Sequence, residues 1–305
     1  MCCLFGFIDY AGSLSVKQKC RLIRELSIAA EARGTDATGI AYNTSQGLQI
    51  YKRPLAAHRL HLRIPAEARV VLGHTRMTTQ GSAKRNYNNH PFFGHVKGES
   101  FALAHNGTIW NDLELRRTKH LPRTKVQTDS YIAVQLIERQ NALNLSSLKC
   151  MAEQVEGSFS FSALSEQDDL WLIKGDNPLN IIHFPKVGVY VYASTAEILN
   201  KALARCGNWL GRAEKVDIEM GDIVKIDNNG RITRGIFDAS KFYRSSWGYW
   251  DTSLYPRLPH SEEEHLSLLK SVAKSFGFTS GMIDRLLEQG FSTDDIEELL
   301  YDGGY

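Results

Sequence analysis

The sequence predicts an α+β layered sandwich. Short apolar or alternating segments follow one another in antiparallel runs, helical pairs lie between these runs, and Gly-containing turns join neighbouring segments. Alternating βαβ units, the pattern typical of a parallel sheet, do not fit this order. No internal repeat is visible. The 305 residues therefore allow one large domain and a smaller segment.

The N-terminal half begins with an apolar strand that starts almost at the first residue. A helical pattern follows and stops at Gly34. A hairpin, a strand leading into a long polar loop, a strand entering an Asn-Gly turn, and a helix complete this half. The predicted ranges are strand 3–9, helix 15–32, hairpin strands 37–43 and 47–53, strand 69–76, loop 77–89, strand 101–107 and helix 129–139.

In the second half, a helix near 146–154 precedes a region rich in strands. Asn228-Asn229-Gly230 is a hairpin signal within the last of them. Residues 238–260 are aromatic and irregular, and a capping-box start at Ser261 begins a helical segment. The predicted ranges are strands 159–164, 170–175, 180–184, 187–194, 213–219 and 222–237, helix 195–205, and short helices near 262–276, 280–289 and 293–301.

The charge distribution indicates a boundary near residue 260. The whole chain has a formal net charge of +2, whereas residues 261–305 hold ten acidic and three basic residues. We therefore predict a main domain at 2–237, a linker at 238–260 and a small acidic three-helix segment at 261–305. The near-neutral total gives no indication of nucleic acid or an anionic membrane as a partner.

Cysteine usage and the N-terminal residues bear on the compartment. The opening MCCLFGFIDY lacks a basic n-region, and no apolar run reaches the roughly 20 residues of a membrane span. The cysteines form no CxxC pair, which disfavours a disulfide framework or a structural zinc site. We expect a cytoplasmic protein without metal or cofactor. The cysteines are Cys2, Cys3, Cys20, Cys150 and Cys206.

Cys2 is the first candidate for catalysis. Removal of Met1 would make it the terminal residue, and its own α-amine, with an unperturbed pKa of about 7.7–8.0, could then act as the general base for the thiol. The alternative is that Cys2 and Cys3 are two buried strand cysteines.

Arg76 and Asp129 are candidates for binding a zwitterionic amino acid. Arg76 ends a strand and could bind a carboxylate through its guanidinium fork, although a structural ion pair is the alternative. Asp129 could pair with an ammonium group, although its position also suits an N-cap of the helix that follows.

Asn106-Gly107 and His90 complete the candidate set. The Asn side-chain amide and the Gly backbone N–H could stabilise an oxyanion, but Asn-Gly is also an ordinary hairpin turn. His90 precedes Pro91 in a shaped loop, where a structural hydrogen-bonding role is the alternative.

Six segments in fixed order, MCCLFG, RGTDATGI, GHTRMTTQG, NNHPF, LAHNGTIWN and QTDS, resemble the class II glutamine amidotransferase domain family. Weaker similarity continues to about residue 237. The resemblance implies the four-layer αββα sandwich of N-terminal-nucleophile hydrolases. It implies that Cys2 is the nucleophile that forms a γ-glutamyl thioester and that Asn106 and Gly107 form the oxyanion hole. It implies that Arg76 binds the α-carboxylate and Asp129 the α-ammonium. The resemblance also implies that Thr79, His90 and Gly107 line part of the glutamine pocket.

The sequence also departs from the family pattern. Cys3 replaces the glycine usual after the nucleophile and should face the core, on the opposite side of the strand from Cys2. Met77 and Gln80 stand where the glucosamine-phosphate synthase type has Trp and His. The segment after residue 238 is too short for the family's synthase domains, so a separate synthase protein accepts the ammonia or water is the only acceptor.

The acidic segment 261–305 loosely resembles ubiquitin-associated-like three-helix bundles, which bind partner proteins. A packing appendage that covers the main sheet is the alternative. For the whole chain, glutamine hydrolysis is the leading hypothesis. Hydrolysis of another γ-glutamyl or small amide and a non-catalytic binding or regulatory scaffold are the alternatives.

Overall fold

The computed structural model describes residues 2–242 and 279–289, together with the separate positions 266, 270, 273, 291, 293 and 296. The chain divides into two compact units, Met1–Phe242 and Tyr243–Tyr305. Residues 243–260 of the predicted linker, and most of the helices predicted near 262–276 and 293–301, lie outside the described residues. The domain boundaries at 237 and 260 therefore stay predictions.

Two antiparallel sheets form the centre of the first unit. One sheet has seven strands in the order β11-β9-β10-β1-β4-β2-β3, and the other has six in the order β13-β12-β8-β7-β6-β5. The strands are β1 (Cys3–Asp9), β2 (Ala37–Thr44), β3 (Gly47–Arg53), β4 (Val70–Arg76), β5 (Phe92–Val96), β6 (Glu99–Ile109), β7 (Gly157–Ser165), β8 (Leu170–Lys174), β9 (Asn180–Phe184), β10 (Val189–Ala193), β11 (Glu214–Val216), β12 (Asp222–Ile226) and β13 (Ile232–Ile236).

Three of the described helices of this unit begin where a capping side chain accepts from one of the first N–H groups. Ser15 and Asn144 form capping boxes, and the Thr195 hydroxyl accepts from the backbone of Ile198. The helices are α1 (Val16–Ala30), α2 (Asp112–Thr118), α3 (Tyr131–Gln140), α4 (Leu145–Gln154) and α5 (Ala196–Cys206), and short 3₁₀ turns lie at Glu31–Arg33, Ala57–Arg59, Asn86–Asn88 and Asn208–Leu210.

Three apolar clusters show how the layers stack. On β1, Phe5 and Phe7 pack toward α1 and α5, whereas Leu4 and Ile8 face the other sheet, because alternate side chains leave a strand on opposite sides. A further cluster joins the six-stranded sheet to α3 and α4. The order is therefore helices, sheet, sheet, helices, and the predicted four-layer sandwich is confirmed.

The predicted elements agree with most of the structure, with local differences. The strand β5 and the helix α2 were not predicted. The first helix ends at Ala30 and continues as a 3₁₀ turn, not as an α-helix to residue 32. The Asn228-Asn229-Gly230 turn joins β12 to β13 as expected, with Gly230 at φ 78°.

In the second unit, the described helix α6 spans Ser280–Glu288, close to the helix predicted near 280–289. Its buried Ile283 packs in a small apolar cluster with Ala273 and Ile296. Among the described residues of the whole chain, no helix has the length and apolar character needed to cross a membrane.

Candidate active site

Cys2 lies just before β1, which is a central strand of the seven-stranded sheet. The register pairs Cys3 with Thr75 on β4, so Cys2 comes to the end of the sheet at which Arg76 closes β4. The thiol donates to the Met77 carbonyl at 3.5 Å, and the Cys2 carbonyl accepts from Arg33 Nε at 2.9 Å. Residues just after β4 and α1 thus fix the position of Cys2.

The two neighbouring thiols have different environments. Burial raises the pKa of Cys2, whereas the Met77 hydrogen bond and the charge of Arg76 lower it and Asp129 raises it. Both charged residues therefore act electrostatically on this thiol. Burial raises the pKa of Cys3 to about 11, and its side chain packs in the core with Phe5. Cys3 faces the core as predicted, and its high pKa makes it a poor nucleophile.

Arg76 is 2% exposed, and neutral acceptors hold its guanidinium. Nη1 donates to Asn89 Oδ1 at 2.7 Å, and Nη2 donates to the carbonyls of Gln80 and Gly81. Within the described part of the chain, Arg76 forms no ion pair with a carboxylate, so the structural ion-pair interpretation is wrong there. These hydrogen-bond partners are all neutral, which is compatible with the predicted binding of an anionic group.

Asp129 is 3% exposed and does not cap the helix that follows. Its Oδ2 accepts from the Ile109 N–H of β6 at 2.6 Å, and Ser130 occupies the N-cap position of α3. The N-cap interpretation is therefore wrong, because this carboxylate binds the neighbouring strand. The Asp129 N–H donates to the side-chain oxygen of Gln80 at 2.9 Å.

Asn106 and Gly107 lie inside β6 and pair with Ser160 and Phe159 of β7. The hairpin-turn interpretation of this dipeptide is therefore wrong. Gly107 has φ 144°, and a Cβ atom there would come within 1.8 Å of the Ser158 carbonyl oxygen. Glycine is needed here for a close approach of two strands and not for a turn.

The direction of the Gly107 N–H follows from its neighbour two residues later. Alternate N–H groups of a strand point to the same edge. The Ile109 N–H points to Asp129, so the Gly107 N–H is directed to that edge as well. The peptide N–H that the sequence predicted as an oxyanion donor thus lies on the side of the strand where Asp129 lies.

Ser194 connects Asn106 to the start of β1. Its hydroxyl accepts from the Leu4 N–H at 2.9 Å and from Asn106 Nδ2 at 3.4 Å. Asn177 Nδ2 donates to the Asn106 carbonyl at 3.0 Å, which fixes the backbone from the other side. Asn106 of the six-stranded sheet therefore lies against the strand of the seven-stranded sheet that Cys2 precedes.

Three buried histidines, His74, His90 and His105, lie next to the candidate site residues. The rings of His74 and His90 have centroids 4.1 Å apart, and His74 Nε2 donates to the His105 carbonyl at 3.0 Å. Burial lowers the pKa of all three, that of His74 to about 3, so the rings are neutral near pH 7. Among the residues that the structure describes, neither ring nitrogen of His90 has a hydrogen-bond partner.

Two of the predicted pocket residues differ in exposure. His90 is 3% exposed and packs between His74 and Phe92, whereas Thr79 is exposed in the loop after β4. Their part in substrate binding stays a prediction.

Sequence reasoning missed the residues that hold this site together. Gln80, Asn89, Ser194 and Lys52 hold the site through hydrogen bonds to residues distant in sequence. Lys52 Nζ donates to the carbonyls of Asn89 (2.5 Å) and Pro91 (2.8 Å), on either side of His90. No local sequence pattern predicts such contacts, because each forms only in the folded chain.

Comparison with known proteins identifies related chains. A family model described as a glutamine amidotransferase domain matches residues 74–201. Glutamine–fructose-6-phosphate aminotransferase (isomerizing) of Halalkalibacterium halodurans is 29% identical over 198 residues, which cover 63% of this chain and 32% of that protein. The enzyme of the same name from Sulfurisphaera tokodaii is 31% identical over 195 residues, covering 59% and 31%. The chain thus spans about a third of the length of these relatives.

Solved structures give the same result for the fold. Glutamine phosphoribosylpyrophosphate amidotransferase from B. subtilis aligns with a TM-score of 0.60 at 18% identity, over 77% of this chain and 49% of that one. A structure described as the allosteric regulatory enzyme of purine biosynthesis aligns with a TM-score of 0.61 at 18% identity, with the same coverage. Residues 74–201 thus match a glutamine amidotransferase domain, and the chain is similar in sequence and fold to class II glutamine amidotransferases.

Proposed function

We propose that this protein hydrolyses the side-chain amide of glutamine to glutamate and ammonia. The observation that carries the proposal is the meeting of Cys2, Arg76 and Asp129 at one end of the two sheets. The Cys2 thiol interacts electrostatically with both charged residues, and Asp129 is bonded to the strand of Asn106 and Gly107. Nucleophile, oxyanion donors and opposite charges for an amino acid head are thus close together.

The chemistry begins once Met1 is removed and Cys2 carries the free α-amine. This amine takes the thiol proton as the sulfur attacks the amide carbon of glutamine. Asn106 Nδ2 and the Gly107 N–H donate to the oxygen of the tetrahedral intermediate. The C–N bond breaks, the proton passes to the leaving nitrogen, and ammonia departs. Water then attacks the γ-glutamyl thioester, releasing glutamate and the thiol.

Substrate recognition rests on the two buried charges. Arg76 binds the α-carboxylate, and Asp129 binds the α-ammonium through the oxygen that does not accept from Ile109. Thr79 and His90 line the pocket in this proposal. The same clamp accepts other γ-glutamyl amides, because they share the amino acid head of glutamine.

A separate synthase protein is the proposed acceptor of the ammonia. The relatives named above are aminotransferases about three times as long as the matched segment, and their names give fructose-6-phosphate as the amino acceptor. The acidic segment 261–305 is the proposed binding site for a protein partner. A cytoplasmic location fits a reaction that needs a reduced thiol, and Cys2 is free in the structure.

The decisive experiment is labelling with a diazo-ketone mimic of glutamine, followed by mass spectrometry. We expect one adduct on the terminal Cys2 of protein that has lost Met1. The adduct should disappear in Cys2→Ala and persist in Cys3→Ala, the matched control one residue away. Ammonia release from glutamine should follow the same pattern. Absence of both adduct and ammonia release, on protein shown to lack Met1, would exclude the glutaminase function and leave the two alternatives, a hydrolase of another amide and a non-catalytic scaffold.

A further inference from the structure

We propose that Gln80 is a positioning residue that sets the separation between the two charged ends of the amino acid clamp. This inference rests on the proposed function, because it concerns how Arg76 and Asp129 together bind the head of the substrate. Gln80 lies in the loop after β4, four residues from Arg76 and 49 residues from Asp129. Gln80 is exposed, so its role comes from its hydrogen bonds and not from burial in an apolar core.

The backbone of Gln80 contacts the positive end of the clamp. Its carbonyl oxygen accepts from Arg76 Nη2, beside the carbonyl of Gly81, which accepts from the same nitrogen at 2.9 Å. Asn89 Oδ1 holds Nη1 from another direction. The guanidinium plane is therefore fixed relative to the Gln80 backbone.

The side chain of Gln80 contacts the negative end. Its Oε1 accepts from the Asp129 N–H at 2.9 Å, while the Asp129 carboxylate is held separately by the Ile109 N–H. Gln80 thus bonds directly to both charged residues. Gln80 therefore helps to set the distance between the carboxylate-binding and ammonium-binding groups, so it should select substrates by the spacing of the α-amino acid head.

A second contact keeps the loop from shifting as a whole. Asn88 Oδ1 accepts from the Gln127 N–H at 2.9 Å, and Asn88 Nδ2 donates to Gln127 Oε1 at 3.0 Å. The loop is therefore also tied, eight residues after Gln80, to the segment that leads into Asp129. Removing the Gln80 acceptor should relax the clamp locally while the loop stays attached.

Leucine is the appropriate replacement, because it has a similar size and no acceptor. In Gln80→Leu the Asp129 N–H loses its partner, and we expect KM for glutamine to rise about three- to tenfold, the range of one lost hydrogen bond. The value of kcat should stay within about twofold. Because the effect lies in recognition of the head, KM for a γ-glutamyl anilide should rise by the same factor. Gln80→Glu keeps an acceptor in place and should restore most of the affinity.

The experiment compares wild type, Gln80→Leu, Gln80→Glu and Gln46→Leu, the last a matched change in an exposed hairpin loop. Steady-state kinetics on both substrates is combined with hydrogen exchange of the Asp129 amide, which should accelerate in Gln80→Leu alone. An unchanged KM in Gln80→Leu, or a loss confined to kcat, would overturn the proposal while glutaminase activity remains. If the wild type hydrolyses neither substrate, the proposed function fails instead, and an unchanged Asp129 exchange rate would still overturn the contact.

Discussion

The strand ends and the polar loop of this site are held in different ways. Cys2, Asn106 and Gly107 are placed by the ladders of two sheets, so their positions depend on strand register. The loop over residues 77–91, which holds Arg76, is fixed mainly by bonds that side chains make to backbone carbonyls and amides. Strand register should therefore govern the chemical step, and the loop should govern binding. Changes in the two regions should separate kcat from KM.

Gly107→Ala tests the strand region and should have the largest effect. The new Cβ would lie 1.8 Å from the Ser158 carbonyl oxygen, a backbone atom, so β6 must move and carry the proposed oxyanion donor with it. We expect kcat to fall by about 10²- to 10³-fold, the loss typical of one oxyanion donor. Gly98→Ala is the control, because Gly98 also has positive φ but no atom of the described part of the chain lies within 4 Å of a Cβ there. Retention of wild-type kcat in Gly107→Ala, measured on folded protein, would contradict the strand-based placement.

The histidine cluster contains residues of both regions, and the pH dependence of stability tests the protonation of its rings. His74, His90 and His105 are neutral when folded and take up protons only on unfolding below the usual pKa of 6.5. The free energy of unfolding therefore has its full value above about pH 6.5. Below that pH it falls by about 1.4 kcal/mol per pH unit for each neutral ring, until the pH reaches the lowered pKa that the ring has in the folded protein.

Urea unfolding between about pH 7.5 and pH 5.5 measures this slope. The slope should shrink in His90→Asn, and His61→Asn, the same change at an exposed position, is the matched control. A flat dependence over this interval would mean that the rings bind protons in the folded protein.

Lys52→Met tests the loop region and should have the smallest effect. The Lys52 ammonium holds the backbone on both sides of His90, and burial with the nearby charge of Arg76 lowers its pKa to about 8. We expect KM for glutamine to rise about threefold with kcat unchanged, because two loop contacts are lost.

In the wild type, KM should also rise as the pH passes above about 8 and Lys52 loses its charge. That part of the pH dependence should disappear in Lys52→Met. Lys201→Met, on the exposed face of α5, is the control. If kcat fell in Lys52→Met by a factor similar to the rise in KM, the distinction between the two regions would be wrong.

The layer order and the candidate residues were predictable because ordered motifs and alternating apolar strands leave a clear pattern. The local roles of Asn106-Gly107 and Asp129 were not. An Asn-Gly pair indicates a turn, yet here Gly107 is required by contact with Ser158, 51 residues later. An Asp before a helix indicates a cap, yet its carboxylate bonds to Ile109.

The short elements were missed for a related reason. β5 has only five residues and gains its identity by pairing with β6. The role of Gln80 could not be derived either, because its two bonds join residues far apart in the chain. Patterns in sequence indicate which face is buried, whereas tertiary contacts decide which polar atoms meet.

The position of Asn106-Gly107 within a strand also affects where asparagine deamidation begins. Asn-Gly pairs deamidate when the glycine nitrogen can attack the asparagine side chain, which needs a flexible, solvated backbone. Asn106-Gly107 is paired along β7, with Asn106 buried, whereas Asn229-Gly230 lies in the turn between β12 and β13, with Asn229 exposed. Chemical damage in storage should therefore begin at that turn, adding a negative charge there while Asn106, the proposed oxyanion donor, keeps its amide.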